Sequence, residues 1–419
     1  MIKIRELECN VKVVMDKVDY LQSAAIGFLF RTGSVNETEE YAGISHFIEH
    51  MMFKGTKNRS AKQIAEDIDK IGGQINAFTS KELTCYYVKS ISEHLLESMD
   101  VLVDMLTEST FSTEELERER NVIFEEMKMT EDTPDELAHD MISAIVNRGN
   151  PLERPIIGYR ETLNRINHDI MVDYYKQQYT RDSMIVCVVG NFDEEEVCQY
   201  LEGKLTKLKA HKELPDFKDV DIVPGFDSKA KKIEQSHIFL GTKSCKMDDP
   251  DYYGTAVLSS ILGGNMSSRL FQGVREEKGL AYSVYSAGAS ATFTGAMYIY
   301  AGVAHENVES ATYAIAEELK KIKEKDIRED ELEKAKEQLK ASYIFGLENV
   351  LSKMMSIGRS YLLLGKVRSD QEVLDEISKV NMQQVNRLAE KYGNIANYSG
   401  VVLSDTEVDM GEILGKLSD

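Results

Sequence analysis

Residues 166–190 read INHDIMVDYYKQQYTRDSMIVCVVG, an amphipathic helix running into an apolar strand, and about 211 positions on the chain offers ISKVNMQQVNRLAEKYGNIANYSGVV from Ile377. A second pair stands in the same order: TEELERERNVIFEEM from Thr113 and, more faintly, EDELEKAKEQLKASY from Glu329. Shared helix chemistry alone would not keep two echoes in order at half the chain length, so a duplicated unit is expected. The first copy opens with the apolar runs Val11–Met15 and Ala24–Phe30, which read as strands. Helical spacing follows over His46–Phe53 and Ala61–Ile71, then two strands within Gln74–Ser90, then helices near 92–108, 112–130 and 167–178. Pro134, Pro151 and Pro155 punctuate the stretch between the last two. The second copy shows a strand at 236–240, a helix at 251–262, strands within 281–303 and then helices. The expectation is an α+β fold of two homologous domains in tandem, each a mainly antiparallel sheet covered by helices. Their bounds would be residues 1–208 and 229–419, joined by a linker at 209–228 that holds Pro215, Pro224 and Gly225.

The chain has 419 residues, ample for two sizeable cores, and a formal net charge of −21. Residues 1–210 carry −14 of it and residues 211–419 carry −7. So acidic a balance argues against a phosphate backbone as partner and weakly favours cationic ligands. The five cysteines, Cys9, Cys85, Cys187, Cys198 and Cys245, are an odd number with no CxxC pair, which points to a reducing compartment. No run approaches about 18 apolar residues, and the N-terminus has no signal-like apolar core. The chain therefore reads as soluble and cytoplasmic, with neither nucleic acid nor membrane as partner; one processed after import into an organelle would read the same way.

The sharpest local feature is His46-Phe47-Ile48-Glu49-His50. On a helix, positions i, i+3 and i+4 share a face, so both imidazoles and the carboxylate point one way. Two histidines one turn apart can each offer a nitrogen to one Zn²⁺, and Glu49 beside them can take a proton from the attacking water. This is the inverted zincin spacing, HxxEH. Chance produces it in about one or two chains per hundred of this composition, so a third ligand is needed to decide the matter.

Glu114–Met129 supplies candidates. A helical wheel puts Leu116, Ile123, Phe124 and Met127 on the buried face and turns Glu125 to solvent. Glu119 and Glu126, seven apart, fall along the margin of the apolar face, where carboxylates are costly without a partner. Beside HxxEH, Glu126 is the expected third ligand and Glu119 a group that hydrogen-bonds to or tunes a ligand. The competing reading has both merely flanking a helix.

GISHFIEHMMFKGTKNRS with Glu126 in RERNVIFEEM, 76 positions beyond His50, resembles the pitrilysin/insulinase inverzincin family, and within it the β-type subunits of mitochondrial processing peptidase and their bacterial relatives. GGQINAFTSKELTCYY, NPLERPIIG and SSRLFQGVREEKGLAYSVYS extend the resemblance over essentially the whole chain. It implies two homologous α+β domains with one zinc ion per chain in the first. His46, His50 and Glu126 match the metal ligands, Glu49 the catalytic base and Glu119 an additional acidic position. Asn76, Ala77 and, by adjacency, Phe78 match an edge-strand segment that pairs with extended substrate. Arg275 and Tyr282 match a pair in the second domain that approaches the substrate backbone. Inactive members lose parts of HxxEH, which this chain keeps; it departs from the usual PLGRPI in having Glu153, which puts that turn in doubt.

Physics alone weighs these further residues less sharply. An edge strand at 74–79 would give a peptide main-chain hydrogen bonds whatever its sequence, yet an Asn such as Asn76 in such a strand is more often a solvated edge residue. Arg275 and Tyr282 could donate to a developing oxyanion, or Arg275 could be a surface cation at a helix end. GGNMSSRLF from Gly263 lacks the Gly-Lys-Ser/Thr ending of a phosphate cradle. His94, His139, His168, His211, His237 and His305 have no ligand spacing and read as surface or structural. The expected function is zinc-dependent hydrolysis of extended or unfolded peptides. Relatives twice this length fold one half over the other, so a homodimer or a heterodimer with a homologous chain is expected. The rivals are a catalytically silent structural subunit of the same fold and a subunit active only beside a different chain.

Overall fold

Alternation and capping chemistry build two sheets of matching plan. The computed structural model describes residues 2–213, 215–220 and 223–418. Strands β1 (Lys3–Glu6), β2 (Lys12–Lys17), β3 (Ser23–Phe30), β4 (Gln74–Thr79), β5 (Thr84–Ile91) and β6 (Met184–Gly190) form a sheet in the order β1-β2-β6-β3-β5-β4. Strands β7 (Phe226–Ala230), β8 (Ser236–Ser244), β9 (Ala281–Ser290), β10 (Gly295–Val303) and β11 (Ser399–Ser404) form the other, in the order β7-β11-β8-β10-β9. Each sheet has one parallel pair, β2 with β6 and β7 with β11, followed by three antiparallel pairs; in the first sheet β1 adds a fourth antiparallel pair outside β2. Setting β2, β6, β3, β5 and β4 against β7, β11, β8, β10 and β9 superposes the two orders strand for strand.

The helices follow the same repeat. The first copy has α1 (Ile44–Met52), α2 (Ala61–Lys70), α3 (Leu95–Glu108), α4 (Thr113–Asp132), α5 (Pro134–Val146), α6 (Arg160–Arg165), α7 (His168–Gln178) and α8 (Glu194–Leu201). The second has α9 (Tyr252–Gly263), α10 (Val308–Lys323), α11 (Glu329–Leu347), α12 (Val350–Leu364), α13 (Asp370–Lys379), α14 (Met382–Tyr392) and α15 (Met410–Ser418). The echo read from sequence lies on α7–β6 and α14–β11. Its register is fixed by equivalent caps: Asn167 accepts from the Ile170 N–H, and Asn381, 214 positions on, from the Gln384 N–H. The true offset is thus three residues longer than the raw strings suggested.

Sequence order and spatial grouping differ. One compact unit comprises Met1–Met127, Arg154–Asp216 and Phe345–Val367; the other comprises Lys128–Glu153, Phe217–Ile344 and Arg368–Asp419. The units are therefore not the contiguous stretches 1–208 and 229–419: each contains one helix from the far half of the chain. Helix α12 packs on β3 and β6 of the first sheet, and α5 packs on the corresponding strands β8 and β11 of the second. Helix α5 escaped the sequence reading because Pro134, taken as punctuation, sits in its first turn, where a missing N–H costs nothing. The expected linker contains the passage from Asp216 to Phe217; residues 214, 221 and 222 of it lie outside the described residues.

In the first unit, Ala24, Ile26, Phe28 and Phe30 of β3 enter the main core with Phe47, Ile48, Met99, Leu102 and Ile123. Ala25, Gly27 and Leu29 face the other way, under α12, and are fully buried or backed by it. Covered on both faces, β3 reads as an unbroken apolar run instead of an alternating one. The approach of α12 is close: a Cβ on Gly27 would lie 2.7 Å from Met354 Sδ, and one on Gly358 would lie 2.9 Å from a Leu29 methyl. Lys353 Nζ, 2.6 Å from Asp16 Oδ2, ties the same helix to β2. All five cysteines are free and buried. Among the described residues no helix is long and apolar enough to cross a membrane.

Gly358→Leu should force α12 off the sheet and cost about 1–3 kcal/mol of unfolding free energy. A fall in the urea midpoint reads this; a midpoint equal to wild type would show that the contact carries no weight.

Candidate active site

Helix α1 buries Ile44, Phe47, Ile48 and Met51 and turns His46, Glu49 and His50 to its open face. The imidazole centroids lie 4.7 Å apart. From α4, Glu126 Oε2 comes to 3.5 Å from His50 Nε2 and 3.9 Å from His46 Nε2. One donor atom from each of the three lies within 4.8 Å of the others, the metal-ligating cluster present among the described residues. Burial, and then the neighbouring His50, pushes the His46 imidazole down to about 4, so the ring is neutral near pH 7, as a ligand must be. Two imidazole nitrogens and one carboxylate oxygen are the donor set of a zinc ion that keeps a position open for reaction.

The outer partners are asymmetric. His50 Nδ1 is 3.1 Å from Glu119 Oε2, and Glu119 Oε1 is 2.8 Å from Lys54 Nζ. Glu119 is nearly fully buried, so its carboxylate fixes the His50 ring and is itself answered by a cation. His46 Nδ1 is buried with no hydrogen-bond partner among the described groups. The rotation of α4 that aims both carboxylates is set by its neighbour Arg120, whose guanidinium donates to the Leu163 and Ile166 carbonyls at the end of α6. Glu125 is exposed, as its place on the wheel required.

Glu49 is held from the edge of the sheet. Thr79 Oγ1, on the last residue of β4, donates to Glu49 Oε2 at 2.5 Å. Burial raises the carboxyl above its ordinary value, and the hydrogen bond from Thr79 opposes that rise. Asn76, Ala77 and Phe78 lie on β4, the outermost strand, paired inward with Tyr87, Tyr86 and Cys85. Ala77 is buried and Asn76 exposed, and the Ala77 N–H donates to Asn76 Oδ1 at 2.8 Å. Arg275 and Tyr282 belong to the second unit. Arg275 sits on a π-helical turn, Phe271–Glu276, with its guanidinium 4.6 Å from the Phe271 ring centroid; Tyr282, on β9, is 65% exposed.

Sequence reasoning missed what holds α1 in place. Glu37 is buried, and its carboxylate accepts from the Gly43 N–H at 2.7 Å and the Ser45 N–H at 2.8 Å, capping the helix. Arg154 of NPLERPIIG donates to the Glu37 carbonyl, and Lys81 donates to that of Arg154. Gly43 has φ +95° and Gly158 φ +75°, and a Cβ on either would meet backbone of the other's segment, within 2.9 Å of the Gly158 Cα or 2.6 Å of the Gly43 Cα. The NPLERPIIG string thus clamps the start of α1. Glu153 accepts from the Gly149 N–H, so the turn that its presence put in doubt closes.

The comparisons agree with this construction. Residues 12–160 match the family described as Insulinase (Peptidase family M16), and residues 165–339 match Peptidase M16 inactive domain. A two-unit α+β chain with one two-histidine, one-carboxylate cluster is the class that the fold and the site define. The chain belongs to the insulinase family of peptidases, M16. It is 42% identical over 397 residues to a Bacillus subtilis (strain 168) protein named uncharacterized zinc protease YmxG, covering 93% of this chain and 95% of that one. A Rickettsia felis protein named uncharacterized zinc protease is 33% identical over 400 residues, covering 95% and 97%. In fold, the chain superposes on the crystal structure of a protease from Helicobacter pylori with a TM-score of 0.90, at 22% identity over 96% of this chain and 99% of that one.

The Glu37 cap makes a pH prediction. Burial lifts its carboxyl from 4.5 to about 7, so between those values the folded chain keeps a proton that the unfolded chain releases. Stability from this group therefore falls as pH rises through that window. Glu37→Gln cannot titrate, so the wild-type stability relative to this variant should decline between about pH 5 and about pH 8 in urea unfolding. Parallel pH curves for the two proteins would remove the assignment.

Proposed function

We propose that the chain is a zinc-dependent endopeptidase acting on extended or unfolded peptides, of the processing-peptidase type. The observation that carries this is the convergence of His46, His50 and Glu126, with Glu49 on the same helix face. Those three would hold one zinc ion per chain, with Glu119 and Lys54 fixing His50. When bound, zinc supplies Lewis-acid polarisation of the scissile carbonyl and acidification of water. Glu49 accepts the proton of the attacking water at its carboxylate and later delivers it to the leaving amine. Its raised proton affinity, caused first by burial, suits a group that must both take and return a proton.

The free edge of β4 supports the peptide reading. An extended chain laid along Gln74–Thr79 gains backbone hydrogen bonds without regard to sequence. The Ala77 N–H now rests on Asn76 Oδ1, and a peptide carbonyl could take over that bond as Asn76 turns to the peptide. We assign Arg275 and Tyr282 to donation toward the substrate backbone, acting on the zinc site of a partner copy in a dimer of homologous chains. The exposure of Tyr282 supports this.

Wild type and Glu49→Gln should both carry about one zinc per chain by metal analysis, while the variant loses at least about 100-fold in cleavage of an unfolded-peptide pool. Zinc in both with cleavage by neither would turn the assignment to a structural subunit or one that needs a different partner. No zinc in folded, metal-supplemented protein would end the metallopeptidase reading. Mixing Glu49→Gln chains with Arg275→Ala chains, under conditions of subunit exchange, should restore cleavage in the mixed dimer. Absence of recovery would exclude action across a dimer.

A further inference from the structure

The end of β4 touches the proposed base directly. Thr79 Oγ1 donates to Glu49 Oε2 at 2.5 Å. A glutamate side chain has three freely turning bonds, and a base acts only within hydrogen-bond reach of its proton. Helix α1 fixes the Cα of Glu49; the edge strand fixes where its carboxylate points. Among the described residues the same strand pairs with β5 alone, so its outer edge has no strand partner.

We infer that Thr79 is a positioning residue that couples occupancy of the β4 edge to the aim of the Glu49 carboxylate. The inference rests on the peptidase reading and deepens it, because it states which substrates are turned over fastest. Peptides long enough to pair along Gln74–Thr79 steady the strand and so the base. Their distant contacts then raise kcat and not merely affinity. Short peptides that reach the metal without covering the edge leave the carboxylate less constrained.

The test compares wild type with Thr79→Val, which keeps shape and backbone N–H but removes the hydroxyl, and with Thr79→Ser, which restores it. Using peptides of graded length, kcat of the wild type should climb with length. Thr79→Val should lose about 10- to 100-fold in kcat, with KM within about twofold and a flattened length dependence. Thr79→Ser should recover most of the loss. Zinc content and binding of an uncleaved peptide by the metal-free protein should be equal in all three. Hydrogen exchange gives a readout independent of turnover: Glu49→Ala should quicken exchange of the Thr79 amide while the rest of β4 keeps its rate. Undiminished kcat in Thr79→Val, or a parallel loss of zinc or peptide binding, would overturn the inference. So would an unchanged Thr79 exchange rate, even if the wild-type protein cleaved nothing and the peptidase reading itself had failed.

Discussion

A carboxylate shut away from water is tolerable only when hydrogen bonds answer it, and the Glu37 carboxylate is answered by the first free amides of the metal-facing helix. The start of α1 offers unpaired N–H groups, and the hydrogen bonds Glu37 accepts from them oppose in part the cost that burial puts on its ionised form. Because Arg154 and Lys81 bind in series behind it, the loop before α1, the turn after β4 and the NPLERPIIG segment share one anchor. The facing glycines Gly43 and Gly158 let these backbones meet. His46 and His50 hold their spacing because the helix that carries them cannot slide.

Charge works the same way on the other side of the cluster. Arg120 spends its guanidinium on carbonyls at the end of α6, which locks the rotation of α4 and sends Glu119 and Glu126 seven residues apart toward the histidines. Glu119 is then nearly buried between a cation and an imidazole. Exposed pairs of this kind contribute little, but here desolvation makes the partners mutually necessary. The cluster is assembled from an apolar helix face and a polar helix margin, backed by the buried Glu37, Glu119, Arg120 and Arg154, and each of the four carboxylates Glu37, Glu49, Glu119 and Glu126 has a different surrounding.

Much of this was legible in the chain. HxxEH needs only helical periodicity to become a face, and the wheel of α4 separated Glu125 from Glu119 and Glu126 because only the latter two flank Ile123. The strands and the duplication were readable because apolar runs recur and two helical strings echo in the same order. What sequence could not show was the exchange of α5 and α12 between the two units, since a helix states which face it buries but not against which sheet. Glu37 and Thr79 were equally silent. A glutamate in a turn and a threonine at a strand end are ordinary on a surface, and their partners are distant along the chain. The signal that could have found Glu37 is Gly43 before α1, a helix start that lacks a capping side chain of its own.

The second copy shows which parts of the plan were backbone and which were chemistry. Helix α9 occupies beside β9 the place that α1 occupies beside β4, following the equivalent strand. Yet α9 is buried at nine positions from Gly254 to Gly263, whereas α1 leaves His46, Glu49 and His50 on an open face. The half-buried positions of α9 are Tyr252, Tyr253 and Ala256, so the helix turns no histidine, cysteine or carboxylate outward where α1 turns three such groups. The caps at Asn167 and Asn381, the sheet order and the exchanged helices survive in both copies because any sequence making this fold must satisfy the same amides and bury the same sheet faces. The histidine and carboxylate face of α1 has no such obligation: Leu258, Ile261 and Leu262 of α9 serve the second core, and the second unit keeps the architecture without that cluster.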